Sequence, residues 1–225
     1  VNDGIRGQRI SVVHSGIDPQ RFRPATGGRL LSEFDIKANQ KVVINVAHLA
    51  EHKGQKYLVR AIPHVLAKLP DTRFFIVGQG ELMENLKGTA SELGLKRELI
   101  FTGFRDDVAD FYRIADLYVM SSVQEGLGTA VLDALALAKP VVATRTGGLP
   151  EIIDDGKTGR LVAPADPEAL AQGIVDMLVH AERAESMAMA GRKRVLQDFS
   201  VDAMVTKNIN VYQHILQDYD PSLRF

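Results

Sequence analysis

From Lys41 onward, short runs of β-branched and aromatic residues alternate with longer segments whose apolar residues recur at helical spacing. The short runs predict strands over 42–46, 73–77, 99–102, 117–121, 141–144 and 160–162. They are almost continuously apolar, as expected where helices cover both faces of a sheet. The segments between them predict helices over 56–69, 82–93, 108–115, 129–138 and 150–154. This regular βα alternation predicts an α/β fold, a Rossmann-like parallel sheet with helices on both faces. Pro63 falls inside the first of these helices and should bend it or delay its start.

The pattern changes after Pro164. Asp166-Pro167-Glu168 has a capping carboxylate followed by Pro at the first helical position. Leu170, Ile174, Met177 and Leu178 continue it at helical spacing. Gly191 and the break at 198–200 should divide the remaining helical region. A last helix over 201–216 carries Met204, Ile209, Tyr212 and Ile215 on a face that needs covering. Residues 25–29 read as a loop, and no Ser/Gly/Pro-rich linker splits the chain. The expected organisation is one α/β domain over 1–225 with a carboxyl-terminal helical tail.

Composition narrows the function. Across 225 residues, 27 Lys and Arg face 28 Asp and Glu, a net charge of −1, so a general grip on nucleic acid is not expected and any anion must be held locally. There is no Cys, which removes disulfides, thiolate metal ligands and thiol nucleophiles. No apolar run approaches the roughly 20 residues of a spanning helix, and Val1-Asn2-Asp3-Gly4 lacks a signal-peptide core. The chain therefore reads as soluble. It opens on Val1 rather than Met, as expected of a piece of a longer protein.

In an open parallel sheet, ligands bind beyond the carboxyl ends of the strands, and four such loops carry chemistry. The first, 47–54, sets Lys53 beside Gly54 just before a helix, an arrangement suited to phosphate or to a solvated surface lysine. The second is Gly78-Gln79-Gly80-Glu81. It permits close backbone approach, but Met83 stands where a dinucleotide fingerprint needs a third Gly. The third is Glu125-Gly126-Leu127-Gly128-Thr129 followed by Asp133, in which backbone N–H groups and a helix dipole suit a diphosphate while two carboxylates suit hydroxyls. Structural alternatives are a helix-start acid for Glu125 and a solvent-facing residue for Asp133. The fourth, Thr146-Gly147-Gly148-Leu149-Pro150-Glu151, is a binding loop or only a tight connection.

Two metal motifs compete. His48-Leu49-Ala50-Glu51-His52 satisfies H-x-x-E-H, but zinc needs both imidazoles on one helical face, and a strand-end loop is expected here. Asp218-Tyr219-Asp220 reads as a frayed end. His14, His64, His180 and His214 are scattered, and neither a metal nor a cofactor is expected.

Taken in order, these segments resemble the carboxyl-terminal, donor-binding half of a GT-B fold, similar to the retaining glycosyltransferases of family four. The resemblance runs through Val13-His14-Ser15-Gly16-Ile17-Asp18, Phe22 and Pro24, Lys53-Gly54, Gly78-Gln79-Gly80, Phe101-Thr102-Gly103-Phe104 and Ala115-Asp116. Its most specific part is Glu125-Gly126-Leu127-Gly128 through Asp133, with Ala138-Lys139-Pro140, Gly147-Gly148 and Gly156-x-x-Gly159 after it. It implies that Glu125 holds hydroxyls of the donor sugar and that amides of Gly126, Leu127, Gly128 and Thr129 hold the diphosphate. Asp133 would hold the ribose, Lys53 would neutralise the leaving diphosphate, and Phe104-Arg105 would lie along the base. The implied reaction passes a sugar from a nucleotide-sugar donor, a UDP-sugar, to an acceptor hydroxyl with retention of configuration. The implied partners are that donor, an amino-terminal acceptor domain of the same protein, absent from this chain, and a sugar, lipid-linked or polysaccharide acceptor. The implied location is the cytoplasm, peripherally at the inner membrane face.

Two positions depart from the family pattern. Asp133 stands where Glu is usual, and His48 where Arg is usual, which exchanges a bidentate guanidinium fork for an imidazole. The alternatives are a non-catalytic nucleotide or sugar-phosphate binding module and a dinucleotide-dependent oxidoreductase. Met83 and the lack of an acidic ribose ligand after the second strand oppose the latter.

Overall fold

A computed structural model describes residues 10–19 and 28–219. Phe22, Pro24, most of the expected 25–29 loop and Asp220 lie outside the described residues. The strands are β1 (Lys41–Val46), β2 (Thr72–Val77), β3 (Leu99–Gly103), β4 (Leu117–Met120), β5 (Val141–Thr144) and β6 (Arg160–Val162). They form one six-stranded parallel sheet in the order β3-β2-β1-β4-β5-β6. Every apolar run became the strand it predicted. The fourth ends at Met120 rather than Ser121, whose hydroxyl is turned to another loop.

The register sets Ile44 of β1 between Phe75 of β2 and Tyr118 of β4. Alternation along each strand sends side chains into two apolar layers. Val42, Ile44, Phe75 and Tyr118 join one layer, and Val43, Phe74, Ile76 and Val119 join the other. The first layer is closed by α1 (Gly28–Glu33), α4 (Val108–Ile114), α5 (Thr129–Ala136), α6 (Leu149–Ile152) and part of α8 (Ala181–Asp198). The second is closed by α2 (Gln55–Leu66), α3 (Met83–Glu92) and α7 (Pro167–Val179). The doubly covered sheet is thus the expected one.

Several boundaries differ for local reasons. Helix α2 begins at Gln55, so Pro63 does not delay it but falls in its last turn. Asp166 caps α7, its carboxylate accepting the Ala169 N–H at 2.9 Å. Gly191 breaks nothing. It lies inside α8, buried against α5, where an added Cβ would meet Leu135 Cδ2 at 2.6 Å and the Thr158 carbonyl oxygen at 2.8 Å. The last helix, α9 (Val201–Tyr219), leaves Ile209, Tyr212 and Ile215 exposed, as the pattern predicted. Among the described residues no helix is long and apolar enough to cross a membrane.

Candidate functional site

The strand order reverses between β1 and β4, and beyond the carboxyl ends of these two strands a cleft of about 780 Å³ opens. Such a crossover point is where an open α/β sheet accepts ligands, because loops from neighbouring strands there diverge to opposite faces. Val46 and Met120 form its apolar floor. His48, Lys53, Gly78, Phe104, Arg105, Glu125, Leu127, Gly128 and Thr129, all expected at the site, line it. Gly80, Gly126 and Asp133 do not.

The central feature joins the first and third loops. Lys53 Nζ donates to Glu125 Oε2 at 2.7 Å, with the two side chains only 19% and 9% exposed. Glu125 precedes α5, whose N-cap is Gly128, so it stands in the loop and is not a first-turn acid. It and Asp133 therefore do not share one continuous helix. Thr129 and Ala130 bring the amino end of α5 to the cleft wall, where the first N–H groups of a helix lack intrahelical partners and the dipole is positive.

The fourth loop proves to be a support for the third. An added Cβ on Gly147, whose φ is +51°, would lie 1.7 Å from the Glu125 carbonyl oxygen. The Gly148 N–H donates to the Gly126 carbonyl at 2.8 Å. Paired glycines are needed because one backbone passes directly beneath another. The same holds for Gly80, where an added Cβ would meet the Leu49 carbonyl oxygen at 2.3 Å. Its role is packing between the first two loops, and Gly78 alone of that pair reaches the cleft.

Phe104 presents a 65% exposed ring at the cleft. Arg105 is already committed to the protein: its guanidinium donates to Asp107 at 2.7 and 2.8 Å and to Glu33 at 2.8 and 3.2 Å. It also lies over the Phe111 ring. Hydrogen bonds to Asp107 and then Glu33 push its pKa up, and the guanidinium in turn holds the Asp107 carboxyl below the usual carboxylate range. Asp107 pairs with Arg29 as well. Arg105 thus fixes the loop that displays Phe104.

His48 is 59% exposed, 3.3 Å from Glu81. Residues Glu51–Lys53 form a single 3-10 turn with His48 outside it, so the imidazoles of His48 and His52 do not share an α-helical face. Asp133 is buried in the second turn of α5, which removes the solvent-facing alternative. It stands off the cleft wall, and its charge reaches Tyr118 instead: burial first, then Asp133 and Glu125, push that phenol's pKa well up. Residues not anticipated at the site include Ser15, Gln79 and Val108. Ser15 arrives from the amino-terminal segment, whose pinning to the far end of the chain carries no local sequence signal. A parallel bridge pairs Ile17 with Ser200, and the Ile17 N–H donates to the Phe199 carbonyl at 2.9 Å.

A cleft that offers a largely buried lysine–carboxylate pair and a helix amino end on an apolar floor is suited to a diphosphate carrying a polyhydroxylated group. The sequence profile described as Glycosyl transferases group 1 matches residues 30–194. The chain belongs to that family. A mannosyltransferase of Mycolicibacterium smegmatis, named as GDP-mannose-dependent alpha-(1-6)-phosphatidylinositol monomannoside mannosyltransferase, is 36% identical to this group 1 glycosyltransferase chain over 194 residues. The match covers 82% of the chain and 51% of that protein. The crystal structure of HepE from Anabaena in complex with UDP-glucose superposes with a TM-score of 0.83 at 25% identity, covering 96% of this chain and 60% of that one. The crystallised C-terminal domain of the group 1 family protein LpcC from Francisella tularensis gives a TM-score of 0.73 at 26% identity, covering 83% of this chain and 100% of that one. The group 1 glycosyltransferase chain thus spans about half the length of the curated relatives it matches. Its fold is the Rossmann-like one of GT-B glycosyltransferases.

Proposed function

We propose that this chain is the donor-binding domain of a retaining glycosyltransferase that moves a sugar from a UDP-sugar to an acceptor hydroxyl. The acceptor site would be supplied by a second, amino-terminal domain outside this chain, and the acceptor would be a sugar, a lipid-linked glycan or a polysaccharide. The enzyme would work in the cytoplasm, with any hold on the inner membrane face coming from that other domain. The observation that carries this is the Lys53–Glu125 pair, 2.7 Å apart at the amino end of α5. When a donor enters, Lys53 and the α5 dipole face the departing diphosphate, and the Glu125 carboxylate accepts from sugar hydroxyls. Charge that develops on the leaving phosphate as the glycosidic bond lengthens then meets groups already oriented toward it, the arrangement that lowers a barrier most. Phe104 lies along the base, and His48 donates to phosphate. The likeness to HepE, solved with UDP-glucose, supports a UDP-sugar, whereas the 36% identical relative named for GDP-mannose favours a second reading with a GDP-sugar.

The test is thermal denaturation and calorimetric titration of this chain with UDP, UDP-glucose, GDP, GDP-mannose and NAD, with and without EDTA. A ligand that binds the native state alone raises its melting temperature by mass action. UDP-glucose should stabilise, EDTA should not reverse it, and Lys53→Ala with Glu125→Ala should abolish it, while the isolated chain transfers no sugar. Stabilisation by GDP-mannose alone moves the reading to that base, and stabilisation by none of the nucleotide sugars sinks it.

A further inference from the structure

We propose that Ser121 and Ser122, consecutive at the carboxyl end of β4, are positioning residues for the two charged groups of the cleft. Ser122 acts on the donor sugar through Glu125, and Ser121 acts on the diphosphate through Lys53. This rests on the donor-site reading above and adds to it the groups that hold its central pair in register.

Both serines are fully buried, and a buried hydroxyl must spend its proton on an acceptor or forfeit it. Ser122 Oγ donates at 3.0 Å to Glu125 Oε2, the same oxygen that accepts from Lys53 Nζ. The Ser122 carbonyl in turn accepts from the Thr144 hydroxyl at 2.5 Å, at the end of β5. The carboxylate is therefore connected through two side-chain hydrogen bonds to two adjacent strands of the sheet. Two donors converging on one oxygen fix the rotation of the carboxylate, which a single flexible lysine does not.

Ser121 does the corresponding work on the other loop. Its Oγ donates to the Lys53 carbonyl at 3.1 Å. Its own carbonyl oxygen packs on Gly54 so closely that a Cβ there would lie 2.2 Å away. The next two residues add their N–H groups, from Val123 and Gln124 to the His52 carbonyl at 2.9 and 3.2 Å. The turn over 52–54 is thus clasped by 121–124, and Lys53 projects from the clasped turn toward Glu125. Since the His52 bonds survive loss of the Ser121 hydroxyl, Ser121 has the smaller effect.

The two arms separate by ligand. In calorimetric titrations of this chain, Ser122→Ala should weaken UDP-glucose about tenfold while leaving UDP within about twofold, the scale of one hydrogen bond to a charged group. Ser121→Ala should weaken UDP and UDP-glucose alike, by about threefold. In a Glu125→Ala background, Ser122→Ala should cause no further loss. Equal weakening of UDP and UDP-glucose by Ser122→Ala, persisting in that background, would mean a general packing role and overturn the proposal. GDP and GDP-mannose are run in parallel so that the choice of base does not decide the outcome. If the unaltered chain binds none of these ligands, the donor-site reading fails, and a melting-temperature cycle decides the positioning. Ser122→Ala should lower the melting temperature by about 3 °C alone and leave it unchanged beside Glu125→Ala. An equal drop in both backgrounds refutes the link.

Discussion

At the scale of single residues, His48 is the position where a small change should alter the cleft most. Its imidazole stands at the cleft wall beside Glu81, exposed enough to accept a longer side chain without repacking. A guanidinium there would add a permanent charge and a bidentate fork. His48→Arg is expected to tighten UDP or GDP binding about tenfold in calorimetric titration, and an unchanged affinity would show that residue 48 does not face phosphate. That Lys53 and Glu125 line the cleft was legible because each follows a strand and precedes a helix, a placement the apolar runs reveal. Asp133 was half legible. The resemblance marked the position, but whether its short carboxylate turns into the cleft or into the layer beside Tyr118 depends on how α5 is rotated. Gly80 was misleading for a general reason, since a loop glycine needed for backbone packing looks the same in sequence as one that admits a ligand.

At the scale of elements, the loop between β3 and α4 is held by charge. Arg105 is gripped by Asp107 from its own loop and by Glu33 from α1, and Arg29 of α1 joins them. The Asp107 carboxyl is held below its ordinary value of 3.8 in the folded state. Its contribution to stability is therefore fully present above that value and is lost as pH falls below it through the depressed folded value. Asp107→Asn should cost about 1 kcal/mol at pH 7 in urea unfolding, with the gap to the unaltered chain closing as the pH falls below 3.8 through the depressed folded value. A gap that persisted in acid would assign the loss to packing. The strands were readable because burial on both faces leaves continuous apolar runs, and the α7 cap because a capping Asp before Pro has few other uses. The 181–198 helix was not readable as one piece: Gly191, a helix breaker by intrinsic preference, is retained there by tight packing on Leu135 and Thr158, which no local pattern encodes.

At the scale of the whole molecule, α9 is the least integrated element. Val205, Ile209, Tyr212 and Ile215 are between 45% and 64% exposed and follow one another along one side of the helix. Changing Val205, Ile209 and Tyr212 together to Gln should leave the unfolding free energy of this chain within about 0.5 kcal/mol, measured by chemical denaturation. A large loss would mean that the stripe already packs on this domain. The amino-terminal segment behaves in the opposite way. Its Ile17 is fastened to the junction of α8 and α9 by backbone bonds on both sides, from its N–H to Phe199 and from the Val201 N–H to its carbonyl. Two residues earlier it touches the cleft through Ser15, and one residue before that His14 meets Glu151 on α6 at 2.5 Å. Such a segment is a clasp, fastened at Ile17 to the α8–α9 junction and at His14 to α6, and it holds Ser15 at the mouth of the cleft between these two anchors.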